Sequence, residues 1–367
     1  MPMNIDELET PALCVDLDRL ENNLARMGQY AQQKGLRLRP HAKTHKISEI
    51  AHMQIRSGAY GITVAKSTEA AIMAETGIDH LLIAYPAYGK EKLNRLTQLA
   101  GIGTHLTIAI DDATTLEPLA AAAAAAGVCF DILAELNVGM NRCGLADPKG
   151  ILALAQKVDC APGAKFAGLN LYPGHIWAKP DQQQEQLQLV DERATAVIQM
   201  LAAHGLPCEV VSGGSTPTAF QSHHVSSLTE IRPGTYVFND RNTLDAGACT
   251  LDECALHVLV TVVSTAVDGW IVVDSGTKTL SSDRLISGAQ SFHGLVVEDP
   301  AMQLERLSEE HGQINLEHAR TRPRIGDRLS IVPNHVCATV NLHDRIWFHR
   351  NGEVLGSWAV SARGCVR

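Results

Sequence analysis

Apolar and polar positions along this chain repeat in an order of short β-rich runs followed by longer helical stretches. An apolar run at 12–18 follows Pro11, and helical spacing over 19–34 is ended by Gly35. Further β-rich runs lie at 37–43, 61–65, 80–85, 105–111, 130–138, 166–174, 208–215 and 229–238. Helical spacing covers 47–57, 68–76, 90–99, 112–126, 149–158 and 182–204, with a shorter connection near 217–223. Setting the first run aside leaves eight strand–helix units. Such alternation means a parallel sheet, and eight units predict an α/β fold of the (β/α)8 TIM-type barrel kind. An open doubly wound sheet would use the same alternation, but no Gly-x-Gly-x-x-Gly fingerprint follows the first strand. The alanine run at 120–126 fits an exterior barrel helix.

Beyond residue 246 the pattern changes. The runs 256–265 and 270–274 are β-branched, with the turn pair Asp268-Gly269 between them. Runs at 291–298, 312–316, 328–333, 338–342, 345–350 and 353–360 continue in this style, and Asn351-Gly352 is a strong hairpin signal. The division expected is a barrel over 1–246 and an all-β C-terminal domain over 247–367. The first run, at 12–18, is surplus to an eight-stranded barrel and is available to pair with that domain.

Composition agrees with two domains, since 367 residues at about 150 per domain is roughly two. The formal charge is −9 and no Lys/Arg block occurs, which argues against nucleic acid as a partner. No apolar stretch approaches the ~18 residues that span a membrane. The first ten residues are acidic and lack the apolar core of a secretion signal. Nine scattered cysteines with no Cys-x-x-Cys pair read as cytoplasmic thiols, most of them core filler.

Barrel chemistry belongs at the C-terminal ends of strands. The first strand leads into Arg39-Pro40-His41-Ala42-Lys43-Thr44-His45-Lys46. Lys43, closing that strand at the barrel mouth, is a candidate Schiff-base amine, against the alternative of a surface lysine. The seventh strand ends in Ser212-Gly213-Gly214-Ser215-Thr216-Pro217. Glycines admit an anion to the backbone and hydroxyls add donors, so Gly213, Gly214, Ser215 and Thr216 suit a phosphate. Arg232-Pro233-Gly234-Thr235-Tyr236 offers a further phosphate donor after the eighth strand. Tyr172 and His175, in Tyr172-Pro173-Gly174-His175, suit an aromatic ring, and Arg142 in Asn141-Arg142-Cys143-Gly144 shares the mouth. An amine, an anion cradle and ring contacts together suggest pyridoxal 5'-phosphate.

A second constellation is His335-Val336-Cys337. At strand spacing, residues two apart face one side, and imidazole with thiolate suits Zn²⁺ or a similar ion. Two protein ligands would leave positions for water and substrate. The competing reading is a His and a Cys buried in a β-core.

These motifs, with Thr10-Pro11-Ala12, Asp274-Ser275-Gly276 and Pro333-Asn334-His335-Val336-Cys337, resemble the D-serine dehydratase and D-threonine aldolase family over nearly the whole chain. Those are fold-type III pyridoxal-phosphate enzymes with an alanine-racemase-like barrel. The resemblance implies that Lys43 carries the cofactor. It implies that Gly213, Gly214, Ser215, Thr216 and Tyr236 bind the phosphate, and that Arg142, Tyr172 and His175 flank the ring. His335 and Cys337 would bind a divalent metal, Zn or Mn. It also implies a homodimer in which the barrel of one chain meets the β-domain of another.

The reaction implied is lysis of a β-hydroxy-D-amino acid. Expulsion of the β-hydroxyl gives a 2-oxo acid and ammonia; its deprotonation gives retro-aldol cleavage to glycine and an aldehyde. The His-x-Cys pair resembles the dehydratases, whereas aldolases carry a carboxylate among the ligands, so dehydration leads. A racemase would need a second acid/base, usually a tyrosine of the β-domain, and no tyrosine occurs from Leu256 onward.

Overall fold

A computed structural model describes residues 3–288 and 292–367. The chain divides into two compact units, one of Arg26–Lys43, Ser48–Gly234 and Gly364–Arg367, the other of Met1–Ala25, Thr44–Ile47 and Thr235–Arg363.

In the first unit, eight strands form one parallel sheet: Arg37–Leu38, Ile62–Val64, His80–Ile83, His105–Ile110, Phe130–Leu136, Ala164–Leu171, Val210–Gly213 and Glu230–Ile231. The last pairs with the first, Glu230 opposite Arg37. A bridge from His41 to Thr63 joins the first strand's continuation to the second, so the sheet closes on itself as a barrel. The middle strands are almost wholly buried because helices cover them, as parallel sheets require. Helices Lys90–Gly101, Ala113–Ala125, Pro148–Asp159 and Gln184–Ala203 lie between strands. The alanine run is helical, burying Ala120 and Ala123 behind the Asp112 cap.

The first and eighth strands are much shorter than the runs at 37–43 and 229–238. Pro40 and Pro233 interrupt the ladder because proline carries no N–H, and both segments continue as 3-10 turns, Ala42–Thr44 and Thr235–Val237. Charge fills part of the barrel interior. Arg39 and Glu230 form a buried ion pair at 3.2 Å. Ser212 Oγ donates to Glu230 Oε1 at 2.6 Å, and Arg232 Nη1 donates to Ser212 Oγ at 2.6 Å. Burial drives the Arg232 guanidinium down to about 10, with Glu230 and Glu135 opposing the shift.

The second unit is mainly β. Its strands include Ala12–Asp16, Leu256–Ser264, Trp270–Val273, Gly294–Val296, Gln303–Leu307, Gly312–Asn315, Arg328–Pro333, Arg345–Arg350 and Glu353–Ala359. Ala12–Asp16 lies antiparallel to Leu256–Ser264 on one side and parallel to Arg345–Arg350 on the other. The hairpin at Asn351-Gly352 forms with both residues at positive φ, the requirement of its turn type. Thr10 Oγ1 donates to Asp274 Oδ2 at 2.6 Å and Thr261 N–H to Asp274 Oδ1 at 2.8 Å, which joins two of the recognisable motifs.

Three readings of this region need correction. The run 338–342 is not a strand; Val336–Val340 is a short helix, because the ladder stops at Pro333 and His335 takes the extended conformation of an N-cap. Gln303–Leu307 is a strand whose signal is masked by Glu305 and Arg306, where the register also shifts. The run at 291–298 shortens to Gly294–Val296, its first residue lying outside the described residues.

Candidate active site

The barrel unit places Lys43 one turn beyond the strand it was expected to close, in the 3-10 turn Ala42–Thr44. Its backbone N–H donates to His41 Nδ1 at 3.3 Å, which turns the chain after Pro40. Arg142, in the loop after the fifth strand, stacks its guanidinium 4.8 Å from the Tyr172 ring centroid. Together with Glu135, Asn137 and Cys143 they line a shallow recess. Glu135 is buried there, and burial raises its pKa while Arg232 and Arg142 pull it back.

His175 packs on Gly139, where a Cβ would stand 2.8 Å from the imidazole; any side chain at 139 would displace it. Burial, with Arg193 adding to it, lowers the His175 pKa below the usual histidine value. The loops after the fifth and sixth strands therefore bring Arg142 onto Tyr172 and His175 onto Gly139.

The anion cradle follows the seventh strand. Gly213 closes that strand among the side chains of Leu171 and Leu228. Gly214 adopts φ +88°, and a Cβ there would stand in ordinary contact with Ser222 Oγ at 3.5 Å and Ile231 at 3.7 Å, so it is the backbone conformation that calls for glycine. Among the described residues the N–H groups of Gly214 and Ser215 meet no protein acceptor. Ser215 Oγ bonds Thr218 Oγ1 at 3.0 Å, and Thr216 Oγ1 accepts from Gly234 N–H at 3.2 Å. Open donors on a glycine turn fit the phosphate of pyridoxal 5'-phosphate. Tyr236 is buried in the turn Thr235–Val237, which belongs to the second unit.

In the second unit His335 N-caps the helix Val336–Val340 and Cys337 sits in its first turn. The pair does not share a strand face, but the two side chains still hydrogen-bond one another. The negative charge of Cys337 is the main reason the His335 pKa rises to about 9, aided by that hydrogen bond, Asp240 and Asp283 against the effect of burial. Cys337 Sγ lies 3.3 Å from Thr44 Oγ1 and 3.9 Å from Thr235 Oγ1. Thr44 is the residue after Lys43 in the chain. An imidazole and a cysteine sulfur in mutual reach fit a soft or borderline divalent cation. Among the described residues no cluster of three His, Cys, Asp or Glu forms a fuller metal cage.

Sequence reasoning missed Thr44, Thr235 and Asp240 around this pair. Only Asp240 left a signal, as the first residue of Asp240-Arg241-Asn242-Thr243, a capping-box spacing before a short helix.

A closed barrel carrying Lys43, a glycine turn with N–H groups that meet no protein acceptor and the Arg142–Tyr172 stack, on a chain that also bears the His335–Cys337 pair, has the parts that a pyridoxal-phosphate enzyme needs. Comparison with known proteins agrees. The alanine racemase N-terminal domain matches residues 15–242 and a putative serine dehydratase domain matches residues 255–349. The D-threo-3-hydroxyaspartate dehydratase of Delftia sp. (strain HT23) is 34% identical over 90% of this chain and 92% of its own. The crystal structure of D-threonine aldolase from Filomicrobium marinum superposes with TM-score 0.92 at 34% identity, covering 100% of this chain and 99% of that one. A D-threo-3-hydroxyaspartate dehydratase cysteine-to-alanine mutant in the metal-free form gives TM-score 0.89 at 32% identity over 97% of this chain and 98% of its own. The chain belongs to the D-serine dehydratase and D-threonine aldolase family, and it is a lyase of that family.

Proposed function

We propose that this lyase acts on a β-hydroxy-D-amino acid with pyridoxal 5'-phosphate and a divalent metal, Zn or Mn, and that its reaction is loss of water to a 2-oxo acid and ammonia. The observation that carries the reading is the hydrogen-bonded His335–Cys337 pair, an imidazole–thiolate donor set in a chain whose barrel presents Lys43 and the Gly213–Thr216 cradle. The metal-free form of the dehydratase mutant supports a metal in such enzymes.

Lys43 would hold the cofactor through its Nζ, an amine that could also carry a proton at the site when free. Gly214 and Ser215 would fix the phosphate through backbone N–H groups, with Gly213 giving the tight approach, Thr216 adding a hydroxyl and Tyr236 a phenol. Arg142 and Tyr172, already stacked, would orient the ring, with His175 beside them. When bound, the cofactor acts as an electron sink for the substrate α-carbon. A divalent metal held by His335 and Cys337 would polarise the substrate hydroxyl as a Lewis acid. The resemblance supports a homodimer, and nine cysteines with no disulfide among the described residues support a cytoplasmic location.

Retro-aldol cleavage to glycine and an aldehyde is the second reading, favoured by the close superposition on a D-threonine aldolase. Incubation with D-serine, D-threonine and D-threo-3-hydroxyaspartate decides between them. The expected products are 2-oxo acid and ammonia; glycine with aldehyde as the main products would replace dehydration by cleavage, and inversion alone would remove both.

A further inference from the structure

Asp240 is 1% exposed, and no lysine or arginine pairs with it among the described residues. Its Oδ1 accepts from Thr243 N–H at 2.9 Å and from Thr243 Oγ1 at 3.0 Å. Its Oδ2 accepts from Val336 N–H at 3.2 Å, the amide between His335 and Cys337. Two residues later, Asn242 donates from its backbone N–H (3.3 Å) and its Nδ2 (2.8 Å) to the carbonyl of Asn334, the residue before His335. One helix of five residues, Arg241–Asp245, thus grips the His335 tripeptide through its cap and its second residue.

Capping does not explain this choice of side chain. Serine, threonine or asparagine caps a helix about as well, and a buried carboxylate needs a positive partner. The His335 imidazole beside it is one, and a metal on the pair would be a stronger one. One thiolate leaves a bound divalent cation with a residual positive charge, and a neutral imidazole does not reduce it. A buried carboxylate beside the pair balances that charge and fixes the backbone that aims both donors.

We infer that Asp240 is a positioning residue for the metal pair, holding the Val336 amide between His335 and Cys337 and supplying the negative charge that one thiolate leaves short. The inference rests on the reading of His335 and Cys337 as the metal ligands.

The test measures Zn²⁺ affinity of the full-length, cofactor-loaded protein by competition with a chromophoric chelator, alongside thermal melts of the metal-free protein. Asp240→Asn should weaken Zn²⁺ binding about 10-fold or more, the range for outer-shell partners. Ile331→Ala, a buried position on the strand leading into the pair, should lower stability and leave Zn²⁺ affinity within about 2-fold. Equal affinity of Asp240→Asn and the parent overturns the inference while the metal pair stands. Equal weakening by both variants overturns it too, since that is a general loss of structure. A parent that binds no Zn²⁺, or binds it undiminished in His335→Ala, overturns the metal reading and this inference with it. If Asp240→Asn does not fold, Thr243→Val, which removes the hydroxyl on Oδ1, should weaken Zn²⁺ several-fold, and unchanged affinity refutes the role.

Discussion

Lys43 stands in the turn Ala42–Thr44 that follows the first barrel strand, and its amine is the group proposed to hold the cofactor. Lys43→Ala should yield a folded protein without the visible absorbance of bound cofactor and without a borohydride-fixed adduct. A variant that still fixes cofactor under borohydride would assign that task elsewhere. At this scale the barrel residues were legible because they sit where strands end, and strand ends can be read from apolar runs and prolines. Asp240 was not legible as a partner of His335, since 94 intervening positions separate them and their relation, through the hydrogen bond to Val336 and the nearness of their charges, exists only in the folded chain. The stack of Arg142 on Tyr172 was foreseen as shared location; its ring contact came only from the loop geometry.

Elements set which neighbours a side chain meets. The pairing of His335 with Cys337 was argued from strand alternation and is achieved by a helix start, where an N-cap and the second residue after it approach by the turn of the chain. The chemistry was readable from residue types, the element was not, because a two-residue spacing fits either. The strand Leu256–Ser264 carries a different consequence. His257 on it meets the ring of buried His349 edge-on at 5.6 Å. Burial, reinforced by His349 and Arg19 and opposed by Asp16, depresses His257 to about 3. An unfolded histidine titrates near 6.5, so protons bind the unfolded chain more readily. The stabilisation from neutral His257 is complete above about pH 6.5 and is lost as pH falls towards 3. Melting temperature followed from pH 7 to 4 should therefore fall less steeply in His257→Gln than in the parent; identical slopes would show that His257 does not titrate with folding.

For the whole molecule, the order of strands and helices was the most legible feature, because eight repeats of one pattern constrain each other. Closure of the barrel and the placement of Ala12–Asp16 in the other unit were open to sequence reasoning only by counting a surplus strand. No helix among the described residues is long and apolar enough to cross a membrane. In the proposed assignment cofactor and metal use different residues, so a chelator should abolish activity while the cofactor absorbance persists, and Zn²⁺ or Mn²⁺ should restore turnover. Loss of absorbance and of thermal stability together on chelation would mean that the metal holds the fold; no change in either activity or stability would return His335 and Cys337 to the core. The strand Ala12–Asp16 also imposes a schedule on synthesis. Its partners at Leu256 and Trp347 emerge from the ribosome hundreds of residues later, which at about 5–20 residues per second is on the order of tens of seconds. Throughout that interval the nascent chain carries Leu13, Cys14 and Val15, all destined for burial, with neither strand edge occupied. A chaperone that shields this first segment, or a stalled ribosome that never delivers the last hairpin, would decide the yield of this protein before any cofactor is met.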